Sequence, residues 1–142
     1  MSVLSSSHLH DSIILNYQNF SKLKEEKVKG YKVVREYNLN YYSAITGLYR
    51  YKVGRVDSVS NYHKLYQGTE YYREEMVGKI AIFKDINDAE KLLEHMIKID
   101  GDNEKFKILE IELSGNLLNC EIINDFMGPC DMYCGTTIKN II

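Results

Sequence analysis

Gly78–Asp100, GKIAIFKDINDAEKLLEHMIKID, carries a strand signal, a capping signal and a helix signal in direct succession. Ile80, Ala81, Ile82 and Phe83 form a short apolar run entered from Gly78, and residues of this kind suit a strand buried on both faces. Periodicity alone does not separate such a run from a buried helix; Asp85 does. It is a good N-cap, and Asp88 three positions on places a second carboxylate at the positive end of a helix dipole. A helix is therefore predicted over 86–99, with Ile86, Ala89, Leu92, Leu93, Met96 and Ile97 on one face and Asp88, Glu90, Lys91, Glu94 and Lys98 in water. Asp100-Gly101 stops it. His95, near the apolar stripe and the helix end, reads as a packing or capping residue rather than a ligand.

Working outward, Lys105–Leu113 (KFKILEIEL) alternates cleanly, with Lys107, Leu109, Ile111 and Leu113 on one face and Phe106, Ile108, Glu110 and Glu112 on the other. Ser114-Gly115-Asn116 turns the chain into a weaker strand over Leu117–Ile123. Gly128-Pro129 reads as the opening of a loop that ends at Gly135, and Thr136–Ile142 closes the sheet. On the N-terminal side, YKVVREY and YYSAI around Asn38–Asn40 predict a hairpin over Tyr31–Ile45. RYKVGRV, Arg50–Val56, is a further strand in which Gly54 marks a bulge. Residues 57–77 are ambiguous: Asp57–Gln67 fits a short helix or a long loop, and Thr69–Met76 fits a polar edge strand. Residues 1–10 read as a mobile arm, and a helix is predicted from Asp11 or Ser12, placing Ile13, Tyr17, Phe20 and Leu23 on one face and running into the Lys/Glu stretch that ends at Gly30. The expected organisation is residues 1–30 as arm and helix, and residues 31–142 as one α+β domain: a twisted, mainly antiparallel sheet with the central helix on a face.

A chain of 142 residues, 44% hydrophobic and 27% charged with a net charge of −2, is of globular composition and lacks the basic excess of a general nucleic-acid coat. No apolar run reaches the roughly 18 residues that cross a bilayer. Ser2–His10 has neither the basic nor the apolar part of a secretion signal, so a cytoplasmic location is expected. Three cysteines, Cys120, Cys130 and Cys134, fit reduced thiols in such a compartment.

Function-bearing residue types are segregated. All four arginines and ten of the twelve tyrosines fall between residues 31 and 73; residues 1–77 carry a charge of +3 and residues 78–142 one of −5. Arginine forks phosphate and stacks on flat rings, and tyrosine adds a π-face and a hydroxyl. Arg35, Tyr42, Tyr49, Arg50, Tyr51, Arg55 and Arg73 are therefore candidate ligand-binding residues for a small nucleotide-like anion. The alternative is a half-exposed sheet faced with tyrosines, in a chain whose wealth of Ile, Lys, Asn and Tyr matches A+T-rich codons. His8-x-His10 with Cys130-x₃-Cys134 has an admissible but unspecific zinc spacing, so no metal and no cofactor is assigned. His63 has no spacing that makes it a base for a thiol. Walker, G-x-G-x-x-G and G-x-S-x-G motifs are absent, which favours a binding module over an enzyme.

Two resemblances extend this reading. YKVVREY, YYSAI, YKVGRV, GKIAIFKDINDAEKLL and ILEIELSG, within residues 31–113, resemble the strand order of small uncharacterised proteins of phages and large DNA viruses. Among phage proteins of this size are the Thoeris anti-defence sponges. Membership there implies a non-catalytic, homo-oligomeric, nucleotide-binding viral protein that sequesters a cyclic ADP-ribose-like signal in the host cytoplasm. Arg35 on an early strand and the late Glu110-x-Glu112 pair resemble the order of mono-ADP-ribosyltransferases, which implies Arg35 as an NAD contact and Glu112 as catalytic acid. The Ser-Thr-Ser element of that family is missing, with only Ser43 and Thr46 apart. A viral structural or protein-interaction domain, docking through the N-terminal helix, is the third reading.

Overall fold

A computed structural model describes residues 15–45, 49–56, 66–101, 105–124 and 126–142. The strands are β1 Tyr17–Lys22, β2 Lys27–Tyr37, β3 Asn40–Ser43, β4 Arg50–Tyr51, β5 Gly54–Arg55, β6 Ile80–Phe83, β7 Phe106–Ser114, β8 Leu118–Asn124, β9 Met127–Gly135 and β10 Thr137–Ile141. One helix, α1 Ile86–Asp100, joins β6 to β7. All strands belong to one antiparallel sheet in the order β1-β8-β9-β6-β2-β7-β10-β5, with β3 pairing β2 and β4. The expected α+β class and single mainly antiparallel sheet are borne out in these residues.

The central unit forms as its local signals require. All four residues of β6 are buried. Asp85 is the N-cap, accepting from the Asn87 backbone N–H at 2.8 Å, and Gly101 ends the helix at φ 79°, donating its N–H to the Ile97 carbonyl at 2.7 Å. Ala89, Leu92 and Met96 bury the apolar stripe. His95 stacks on Phe126 with ring centroids 4.2 Å apart, the packing role expected of it. The β2–β3 hairpin turns in two residues, Asn38 and Leu39, both left-handed at φ 50° and 65°; such a turn matches the twist of the strands it joins.

The N-terminal helix is not found over the described part of its span. Tyr17–Lys22 is a strand paired with β8, and Lys27–Gly30 opens β2. Helical spacing of Tyr17, Phe20 and Leu23 is overridden because Tyr17 packs in the core when paired across from Ile122. In Lys27–Gly30 the exposed lysines alternate with buried Val28 and Gly30, the period of a strand. The expected boundary at residue 30/31 falls inside β2; residues 1–14 lie outside the described set. Thr69–Met76 is not an edge strand either: Thr69 Oγ1 donates to the Tyr66 carbonyl and accepts from the Tyr71 N–H, and Glu74–Met76 is one turn of 3-10 helix. Gly128-Pro129 does not open a loop but lies within β9. Pro129 falls where the β8 pairing is irregular, and β6 pairs only with Met132–Gly135, so its missing N–H costs no ladder bond. The Arg50–Val56 strand divides at Gly54, φ 127°, into β4 on β3 and β5 on β10.

Two cores lie on opposite faces of the sheet. On the first, Val33, Phe106, Ala81, Phe83, Cys120, Ile122 and Met132 pack beneath α1. On the second, Val34, Ile80, Ile82, Leu109, Ile111, Leu113 and Ile138 pack with Tyr51 and Val56 from the short strands. Gly30 sits where β2 crosses β6; a Cβ there would overlap the Phe83 carbonyl and the Ile82 side chain.

Candidate functional site

The seven sequence candidates separate into four groups. Arg35, Tyr42 and Arg50 are directly opposite one another on β2, β3 and β4, so they form one cross-strand row. Arg35 is largely committed: its Nε donates to the Ala44 carbonyl at 2.8 Å, and its guanidinium lies 5.3 Å from the centre of the Phe106 ring. Burial lowers its pKa and the charge of Asp100 opposes that, while one terminal nitrogen, Nη2, is buried without a hydrogen-bond partner. Arg50 donates to Asn40 Oδ1 at 2.7 Å on the surface. Arg73 is a clamp for backbone carbonyls, donating to those of Tyr17, Glu70 and Tyr72 and to Asn16 Oδ1. Tyr49 and Tyr51 make an edge-to-face pair with centroids 5.2 Å apart, and Tyr51 is buried in the second core.

Arg55 is different. It lines a cleft of about 470 Å³ together with Val56, Val77, Gly78, Lys79, Asn116 and Thr136. Four segments converge there: the end of β5, the turn before β6, the β7–β8 turn and the β9–β10 turn. Backbone bonds fix them against each other, from Val56 N–H to the Thr136 carbonyl at 2.6 Å and from Thr136 N–H to the Gly115 carbonyl at 2.9 Å. Gly78 and Asn116 take left-handed conformations, φ 74° and 45°, which set the rim. The Lys79 ammonium is steadied by the Glu75 carbonyl at 2.8 Å. The lining carries two cations, a side-chain amide and a hydroxyl, and no carboxylate. Among the described residues the Arg55 guanidinium has neither an ion pair nor a hydrogen bond. The arrangement can hold an anion of small-ligand size. Lys79, Asn116 and Thr136 carry no mutual spacing in the sequence, so only Arg55 of this group was legible there.

The glutamate pair sits elsewhere. Lys27 and Lys29 meet Glu112 and Glu110 at 3.9 and 3.5 Å on the β2–β7 surface. Arg35 pairs with Phe106, whereas Glu112 pairs with Lys29. Six strand positions separate them, roughly 20 Å.

The thiols are core residues. Cys120, Cys130 and Cys134 are free and buried; the contact between Cys120 and Cys134, with burial, raises the pKa of the Cys120 thiol, and burial pushes that of Cys130 up to about 11. Among the described residues no group of three or more His, Cys, Asp or Glu is placed to hold a metal; His8, His10 and His63 lie outside them. No described helix is long and apolar enough to cross a membrane. No protein-family model matches the chain, and neither a curated protein nor a solved structure matches it.

Proposed function

We propose that the protein is a non-catalytic binding module for a small nucleotide-like anion, held in the cleft at Arg55. The observation that carries this reading is an Arg55 guanidinium without a partner among the described residues, lining a ligand-sized cleft whose other polar groups are Lys79, Asn116 and Thr136. Arginine and lysine would take phosphate oxygens, and the amide and hydroxyl would take the remaining polar groups of the ligand. The roughly 20 Å between Arg35 and Glu112 favours binding over ADP-ribosyl transfer, which needs both residues at one nicotinamide nucleotide. Sequestration of a cyclic ADP-ribose-like signal is the specific form of the proposal, and that compound heads the panel to be tried.

The test is a thermal-shift and calorimetric screen of the full chain with cyclic ADP-ribose, ADP-ribose, NAD and cyclic mononucleotides. A ligand at a hundredfold excess over its Kd stabilises the native state by about 2.7 kcal/mol. Arg55→Ala is expected to weaken binding about tenfold or more without lowering the unfolding temperature of the free protein, and Arg50→Ala to leave affinity unchanged. Equal affinity of wild type and Arg55→Ala would remove the cleft from consideration.

A further inference from the structure

Lys32 is a charged residue on the face of β2 that builds the second core. It stands opposite Leu109 of β7, between Gly30 and Val34 along its own strand. Its Nζ donates to the Ala81 carbonyl of β6 at 2.8 Å and lies 5.4 Å from the centre of the Tyr51 ring of β4. Part of the residue stays in contact with solvent, while the amine itself is desolvated by burial. No carboxylate of the described residues pairs with it. On the same face, Glu36 is engaged by Lys107 at 3.1 Å, and further ionisable groups packed around this core are Tyr41 of β3, Tyr51 beside Tyr49 and near Tyr66, and Tyr133 of β9 with Lys84 over its ring. Tyr51 is kept protonated by burial, with a hydrogen bond to Ser43 acting in the opposite sense.

An ammonium in such a place gives up hydration and gains one carbonyl and one ring face in return, a poor exchange for a full charge. A methionine would fill the same volume without that cost. A neutral amine fits the surroundings better: one N–H satisfied by Ala81, and a lone pair left over. We propose that Lys32 is a nucleophilic amine site that captures an aldehyde or ketone group of a small molecule as an imine, separately from the Arg55 cleft. The Nζ lone pair adds to the carbonyl carbon, the former carbonyl oxygen takes up a proton, and the carbinolamine forms. Loss of that oxygen as water and of the remaining nitrogen proton to solvent closes the C=N bond. One water is released and nothing is oxidised or reduced.

Burial alone pulls the Lys32 pKa down to about 8, against 10.5 for an ordinary lysine. At pH 7 its neutral fraction then exceeds that of a surface lysine roughly 300-fold, partly offset by the lower nucleophilicity of a weaker base. The experiment is limited reductive alkylation of the full chain with isotope-labelled acetaldehyde and cyanoborohydride at pH 7, mapped by peptide mass spectrometry across all 14 lysines. Lys32 is expected to react at least tenfold faster than the mean of the others, and its rate to level off above about pH 8 while theirs continue to climb. Lys32→Arg keeps a cation but removes the nucleophile, and should abolish the fast fraction while leaving nucleotide binding at the Arg55 cleft intact. Labelling of Lys32 no faster than of exposed lysines, or a fast fraction that maps to another residue or survives Lys32→Arg, overturns the proposal. If Lys32→Arg does not fold, the wild-type map alone decides.

Discussion

The two faces of the sheet solve the same burial problem by different means. On one face α1 lays a continuous apolar stripe, Ala89, Leu92 and Met96, over Val33, Phe83 and Phe106. Charges at its border are paired or capped, Asp85 on its own helix and Lys29 with Glu110, while Arg35 holds Ala44 and Phe106 and leaves its Nη2 without a hydrogen bond. On the other face no described helix intervenes, and Tyr51 of the two-residue β4 and Val56 beside the two-residue β5 pack into the core. Two-residue strands cannot seal a core as a four-turn helix does. At the seams lie Arg55 and the Lys32 amine, neither of which is in an ion pair among the described residues. Where the helix supplies the cover, Asp85 serves as a cap and Lys29 is in an ion pair; where short strands supply it, Glu36 is paired with Lys107, but Arg55 and Lys32 have no ion pair among the described residues.

Three measurements sharpen that contrast. The largest effect is expected on the helix side, where Met96→Ala opens a void in a fully buried site and should cost about 3 kcal/mol in chemical denaturation; a loss below about 1 kcal/mol would mean that the helix is a loose lid.

The opposite face should respond to its amine with the opposite sign. Lys32→Met is expected to stabilise the protein by about 1–2 kcal/mol at pH 7, after allowance for partial solvent screening. The folded chain releases the Lys32 proton above about 8, the unfolded chain only near 10.5. The unfolded state therefore binds more protons in that window, and wild-type stability should rise with pH across it. Tyr51 opposes the rise above about pH 10, because only the unfolded chain ionises it there. A wild-type curve that is flat between pH 8 and 10, or one whose rise persists in Lys32→Met, would show that the amine is not desolvated.

The smallest change is at the helix start. Asp85→Ala should cost about 1 kcal/mol by freeing the Asn87 N–H. Hydrogen exchange should speed up in the first turn of α1 and leave the second face unaffected; a response spread over both faces would argue that they unfold as one body.

What could be read in the sequence follows the range of the interactions. Gly78–Gly101 was legible because cap, stripe and stop are set by neighbours three or four residues apart, and the β2–β3 hairpin because its turn residues adjoin. β1 was not, since its strand state comes from pairing about a hundred residues away with Leu118–Ile122, while Tyr17, Phe20 and Leu23 happen to repeat at helical spacing. β9 was hidden by Gly128-Pro129, a turn signal that edge geometry neutralises. The arginine cluster was visible in the sequence, but not its distribution in the fold: Arg73 and Arg35 donate to backbone carbonyls, and Arg55 lines the cleft. The rest of that lining comes from separate turns whose meeting only the fold can announce.

The place of β10 sets the order of events in synthesis. Thr137–Ile141 is an interior strand, paired to β7 on one side and β5 on the other. The long ladder of β2 likewise waits for β7, although its far end pairs β3 at once, and β1 waits for β8. A ribosome-bound chain can close the β2–β3 hairpin and nucleate α1 early, but β5 has no neighbour in the sheet until residue 137 has emerged. Assembly is thus a late, long-range event of the kind that runs on the millisecond-to-second scale. Until then the unpaired strands are exposed to other chains, so the yield of native protein should depend on temperature and crowding during expression more than its final stability would suggest.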